Sequence, residues 1–118
     1  METSEFVAFV RDRGLAVIAT LGPQGTPQAA VVAVLATDAG EVVFGTERGS
    51  RKFANIKQRP AVALAVGWDE DEGAVQCEGI ADEPSGTDLD RCWRATWTDS
   101  RANDSWPRTG HSGWSGSA

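Results

Sequence analysis

The sequence predicts a mainly β (α+β) domain: a small antiparallel barrel whose short helices cover its ends. Three observations carry this. Five or six apolar runs rich in β-formers follow one another, each under ten residues or so and bounded by turn residues. Helical spacing occurs in just two stretches, near residue 8 and near residue 54. The strands are not separated by regular helices, which disfavours a doubly wound sheet.

The elements follow in order. Residues 3–13 read as a helix: Thr3 or Ser4 can cap it, Glu5 suits its positive end, and Phe6, Phe9 and Val10 share one face. Gly14 ends it. Leu15 to Leu21 is the first strand, and Gly22-Pro23-Gln24-Gly25-Thr26-Pro27 is a turn. Gln28 to Thr37 is a second strand, nearly all Ala and Val, which needs cover on both faces or a place in a subunit interface. Asp38-Ala39-Gly40 turns the chain into a third strand, Glu41 to Thr46. Ser50 to Gln58 is a helix with Phe53 and Ile56 inward, stopped at Arg59-Pro60 because proline disfavours helix before it. Ala61 to Val66 is the fourth strand, Trp68 to Gly73 an acidic hairpin loop, and Ala74 to Ala81 the fifth strand, with Val75, Cys77 and Ala81 opposed to Gln76, Glu78 and Ile80. Ser85 to Leu89 resembles a capped helix start.

Composition excludes several functions. A chain of 118 residues is one domain with one core. Its net charge of −6 and pI of about 4.6 disfavour a nucleic-acid partner. Absence of an apolar run near the roughly 18 residues of a membrane span, or of an export segment, makes a cytoplasmic protein the expectation. Cys77 and Cys92 are too few for a disulfide framework. Asp69-Glu70-Asp71-Glu72 reads as a solvated hairpin tip, with no His or Cys beside it, so no metal ligands are assigned. The single histidine, His111, gives a Ser/His/Asp triad no support, and Cys77 has no histidine partner.

The chemistry concentrates in Gly45 to Ile56, where a strand passes into a helix. Three of the eleven basic residues, Arg48, Arg51 and Lys52, lie here with glycines and hydroxyls. A helix N-terminus with cations and free N–H groups is the chemistry a phosphate needs; the plainer reading is a solvated helix start.

Several motifs then fall in a recognisable order. Leu15 to Leu21 precedes Pro23-Gln24-Gly25-Thr26-Pro27. Next come Val42-Val43-Phe44-Gly45-Thr46, Ser50-Arg51-Lys52-Phe53-Ala54-Asn55-Ile56 and Arg59-Pro60-Ala61-Val62-Ala63-Leu64. Val75 to Ala81 completes the set. From about residue 5 to 90 the chain resembles the pyridoxamine 5'-phosphate oxidase-like family, the flavin-binding split barrels. The resemblance implies an antiparallel split β-barrel, a homodimer, and FMN or a deazaflavin coenzyme at sites between subunits. By position, Arg51 and Lys52 resemble the phosphate-binding pair, with Ser50 as hydroxyl donor. Thr46 and the backbone of Val31, Val32, Ala33 and Val34 resemble the wall against the ring system. Gln76 and Glu78 lie on the strand facing the site or the partner.

The implied function is an FMN-binding oxidoreductase in which the flavin transfers hydride or electrons to or from a small molecule. No side chain presents itself as a general acid or base, so no catalytic residue is assigned. Basic C-terminal residues that the true oxidases place around their substrate have no counterpart here. The alternatives are a non-catalytic flavin, deazaflavin or haem module, or a truncated member without activity.

The tail reads differently, which divides the chain into a 1–90 split-barrel domain and a 91–118 segment outside the family pattern. From Asp90 onward there is no Val, Ile, Leu or Phe, and four of the five tryptophans fall there. The segment reads as disordered or frameshifted. Trp-, Arg- and Ser-rich text is what a GC-rich gene yields out of frame, and shifting the frame by one base permits a Tyr-Leu-x-x-Phe-Pro helix followed by a Val-Arg-Val strand. The expectation is a barrel lacking its final helix and strand, with an unpaired edge and weakened cofactor binding.

Overall fold

The computed structural model describes residues 1–47, 49–69 and 73–87, and residues 112–117 by their backbone. The elements are α1 (Thr3–Arg13), β1 (Leu15–Leu21), β2 (Pro27–Ala36), β3 (Glu41–Thr46), α2 (Arg51–Gln58), β4 (Ala61–Asp69), β5 (Gly73–Asp82) and β6 (Ser112–Ser117). Every strand pair is antiparallel, and the order β1-β2-β3-β6-β5-β4 closes into a barrel. The mainly β barrel with two helices is therefore the fold.

Both helices are explained locally. In α1, Val7 and Val10 are buried and Phe6 and Phe9 pack against the core. Thr3 and Ser4 do not cap it: the N-cap position is Glu2, with no side-chain cap bond, because the helix starts at Thr3 itself. Gly14 ends α1 at φ 71°, a left-handed conformation glycine adopts without strain, and its N–H donates to the Val10 carbonyl at 2.9 Å. Arg11 donates to the Ala36 carbonyl and the Asp38 carboxylate, tying α1 to the β2–β3 turn. In α2, Ile56 is 1% exposed and Phe53 half-buried, so this helix plugs the barrel with its expected face.

The core combines inward strand residues with Val7, Val10 and Ile56 of the helices. Phe44, Ile18, Val34, Val42 and Val66 are fully buried with Val10 and Ile56, and each such side chain contributes roughly 1.5–3 kcal/mol. On β5, Cys77 and Ala81 point inward while Gln76, Glu78 and Ile80 are exposed, the alternation expected. β4 runs longer than expected. It continues past Val66 to Asp69 through a register irregularity, with Gly67 at φ 77° against the Phe9 ring. A Cβ at Gly67 would sit 2.7 Å from Phe9 Cζ, so glycine suits the bulge, and Trp68 lies in the strand instead of a loop.

The outer face across β2, β1, β4 and β5 is apolar and open. Val31, Val17, Ala65 and Gln76 form one cross-strand row, and Ala29, Ala19, Ala63 and Glu78 the next. Val31 is 62% exposed, Ile80 60% and Leu15 46%. The β2 sequence called for cover on both faces or a place in a subunit interface, and among the described residues the outer face has little cover at Val31.

One expectation is corrected. The barrel does not lack a final strand: Ser112 to Ser117 pair with Thr46 to Glu41 on one side, and Gly116 and Ser115 with Ala81 and Asp82 on the other. Backbone pairing requires N–H and C=O groups, which serine and glycine possess as valine does. The expected missing helix, the helix start running to Leu89, the Glu70 to Glu72 run and His111 lie outside the described residues.

Candidate functional site

The site is built where β3 hands over to α2. Thr46 ends β3 at 4% exposure, and its Oγ1 lies 2.8 Å from Ser50 Oγ. Ser50 is extended (φ −81°, ψ 159°) and is the N-cap of α2: its Oγ accepts from the Phe53 N–H at 3.2 Å and donates to the Glu47 carbonyl at 2.8 Å. A serine hydroxyl has one proton, so with that proton on Glu47 the Thr46 hydroxyl donates to Ser50. Ser50 is thus occupied in holding the turn.

That leaves the first turn of α2 for a ligand. The N–H groups of Arg51 and Lys52 belong to the set a helix leaves unpaired at its start. No acidic residue lies in that turn. Arg51 is exposed and Lys52 half-buried, and neither makes an ion pair among the described residues. Two cations at the positive end of a helix, without a countercharge among the described residues, favour an anion there.

The far side of α2 is anchored by a residue whose role sequence reasoning missed. Asn55 is 3% exposed, and its Nδ2 donates to Thr20 Oγ1 at 3.0 Å and Gln28 Oε1 at 2.9 Å. Arg59 Nε adds a bond to the Leu21 carbonyl at 2.8 Å. An amide in a helix otherwise facing the core was the available signal: a buried Asn needs partners. These bonds fix where the N-terminus of α2 points.

The other assigned residues divide by location. Val31 to Val34 run beside the end of β3, since Val34 pairs with Phe44 and the strands are antiparallel. Val32 and Val34 face the core, Val31 and Ala33 the outside. Pairing thus brings Val34 opposite Phe44, two residues before Thr46, and the β2–β3 register has no pair for Val31, Val32 or Ala33. Gln76 does not join them within one chain. It is three strands from Val31 along the cross-strand row, roughly 14 Å away.

Gln76 instead lines a cavity of about 390 Å³ with Thr3, Phe6, Glu41 and Cys77. A second cavity, of about 470 Å³, opens on the outer face between Thr20, Pro27, Ala61, Glu78 and Ile80. Burial pushes the Cys77 thiol above its ordinary pKa, which keeps it protonated and a poor nucleophile. Among the described residues no helix is long and apolar enough to cross a membrane, and no group of three metal-ligating side chains occurs.

A family model described as pyridoxamine 5'-phosphate oxidase matches residues 2–112. The chain belongs to this family. The match extends past residue 90, where the sequence motifs ended. Curated relatives in the family include pyridoxine/pyridoxamine 5'-phosphate oxidases from Methylibium petroleiphilum, 34% identical over 84 residues, and Rubrobacter xylanophilus, 39% identical over 74. These alignments cover 71% and 63% of this chain and 39% and 34% of the relatives, so the chain spans well under half of their length.

Solved structures share the family fold at lower identity. A haem binding protein from Mycobacterium smegmatis superposes with a TM-score of 0.75 at 20% identity, covering 98% of this chain and 50% of that one. An FAD-binding protein from Mesorhizobium loti gives 0.72 at 18% identity, covering 98% and 88%. These likenesses show the shared fold.

Proposed function

We propose that this chain is an FMN-binding oxidoreductase module whose flavin phosphate sits at the N-terminus of α2. The observation that carries the reading is the pair Arg51 and Lys52 at an uncompensated helix start, beside a Ser50 already committed to capping. Their backbone N–H groups and side-chain cations bind and orient the phosphate, while Thr46 holds the turn through Ser50. Val31 to Val34 supply a strand edge for the ring system. When bound, a flavin supplies hydride or single-electron transfer with a small-molecule substrate. No general acid or base is assigned from this chain, and a deazaflavin coenzyme satisfies the same phosphate chemistry.

A homodimer is part of the proposal. The open face around Val31, Val17 and Ala65 is apolar, and Gln76 on its rim reaches a cradle most simply from a second copy. A cytoplasmic setting completes it, and the free Cys77 thiol suits a reducing compartment.

The test is a fluorescence titration with FMN, coenzyme F420 as the deazaflavin and haemin as separate probes. Saturable binding of FMN is expected. In Arg51→Ala/Lys52→Ala, affinity falls at least tenfold, since each charged hydrogen bond contributes about 1.5–3 kcal/mol. Unchanged affinity in that variant would remove the cradle, and a tight Soret-shifting haemin complex without FMN binding would favour the haem reading.

A further inference from the structure

We propose that β6 is an exchangeable closing strand, which opens and recloses the β3–β5 seam while the β1–β5 barrel stays folded. The composition of β6 points to this. Ser112-Gly113-Trp114-Ser115-Gly116-Ser117 contains no β-branched residue, two of its six residues are strand-weakening glycines, and Trp114 is its one residue of a type enriched in strands. Six register pairs join β6 to β3 but two to β5. Net backbone hydrogen bonds are offset by the entropy of ordering the residues that make them. The other strands add buried valines, isoleucine, leucine and phenylalanine to that balance. β6 brings no aliphatic residue and one aromatic, Trp114, to it, so its docking free energy is a small part of the global stability.

The seam has a direction that makes the opening readable. Glu41 turns its polar groups toward β2: its carbonyl accepts from Thr37 N–H at 2.9 Å, and its N–H donates to Thr37 Oγ1 at 3.1 Å. Antiparallel pairing alternates sides residue by residue. Val43 therefore faces β2, where it pairs with Leu35, while Val42, Phe44 and Thr46 turn their N–H groups toward β6. Opening of β6 frees the second set and leaves the first paired.

The opening also reaches the cradle. Thr46 pairs with Ser112, and its hydroxyl holds the Ser50 cap of α2. Departure of β6 removes the backbone support of Thr46 and loosens the first turn that presents Arg51 and Lys52. An anion bound there favours the closed seam by linkage. This last step rests on the phosphate reading; the seam itself does not.

Native-state hydrogen exchange on the full chain tests both. The amides of Val42, Phe44 and Thr46 are expected to exchange on the order of 100-fold or more faster than those of Val43 and Leu35. Equal protection at Val42, Val43 and Phe44 would overturn the proposal. Gly113→Val/Gly116→Val, which adds strand propensity, should slow Val42 and Phe44 roughly tenfold and leave Val43 unchanged. Equal slowing of Val43 would show that β6 unfolds with the barrel. Saturating FMN should slow Phe44 and Thr46 selectively. Bound FMN with unchanged exchange there would remove the link to the cradle, whereas failure of FMN to bind would refute the functional reading and leave the alternation as the measure of the seam.

Discussion

Thr46 and Ser50 share a 2.8 Å contact between hydroxyls, which joins the last residue of a barrel strand to the cap of the helix that follows. The contact makes the helix start an extension of the barrel. Arg51 and Lys52 inherit their placement from β3.

Ser50→Ala removes the cap acceptor for Phe53 and the partner of Thr46. A loss of about 1 kcal/mol in denaturant-measured stability is expected. FMN affinity should fall as well, through disorder in the first turn. Ser50→Asp should restore the cap but place a carboxylate where the phosphate is proposed, so stability recovers and FMN affinity does not. Recovery of both would count against an anion at this helix start.

Asn55→Leu keeps similar bulk and removes two donated hydrogen bonds. Thr20, at 3% exposure, and Gln28 lose their shared donor. Stripping partners from buried polar groups costs about 1–3 kcal/mol each at most, so a destabilisation of roughly 2–4 kcal/mol is expected in urea unfolding. A change below about 0.5 kcal/mol, the level of an ordinary surface substitution, would show that the network holds nothing.

Val31→Asp tests the open face. Val31 is 62% exposed in the single chain, so a charge there is tolerated by the monomer. In a dimer closed over this face it would be buried without a partner. Sedimentation should report a dimer for the unmodified chain and a folded monomer for the variant, with weaker FMN binding if the site needs both copies. A variant that stays dimeric would move the interface elsewhere.

Burial of Cys77 raises its pKa above the reference of 9.0. The folded state therefore keeps its proton where the unfolded chain gives it up. This contribution to stability is fully present below about pH 9 and is lost as pH rises through the folded pKa. Cys77→Ala should show less loss of stability between neutral and alkaline pH than the unmodified chain. In a Cys92→Ser background, thiol-reactive dye should label Cys77 slowly in the folded state and rapidly in denaturant; fast labelling without denaturant would contradict its burial.

Much of the fold was legible because it rests on local chemistry. Gly14, Pro60 and the Asp38-Ala39-Gly40 turn mark element ends by their own dihedral preferences. Alternation along β5 identified Cys77 and Ala81 as inward without any neighbour in view. The ordered motifs around Ser50-Arg51-Lys52 pointed to the family, and the helix start carries those residues as expected.

What remained was decided between distant parts of the chain. No local rule says that Asn55 meets Thr20, which is 35 residues away, or that Phe9 fills the space above Gly67. Gln76 looked like a companion of the cradle, but register places it three strands away. The Ser/Gly run at 112–117 lacks the side-chain pattern of a strand, yet it pairs because β3 and β5 offer it backbone partners. Sequence by itself determined the strand and helix chemistry, the family and the charge at the α2 start, since these follow from neighbouring residues. Tertiary structure alone decided which buried polar groups pair, which face stays open and what closes the barrel, because hydrogen bonds and packing depend on contacts across the chain.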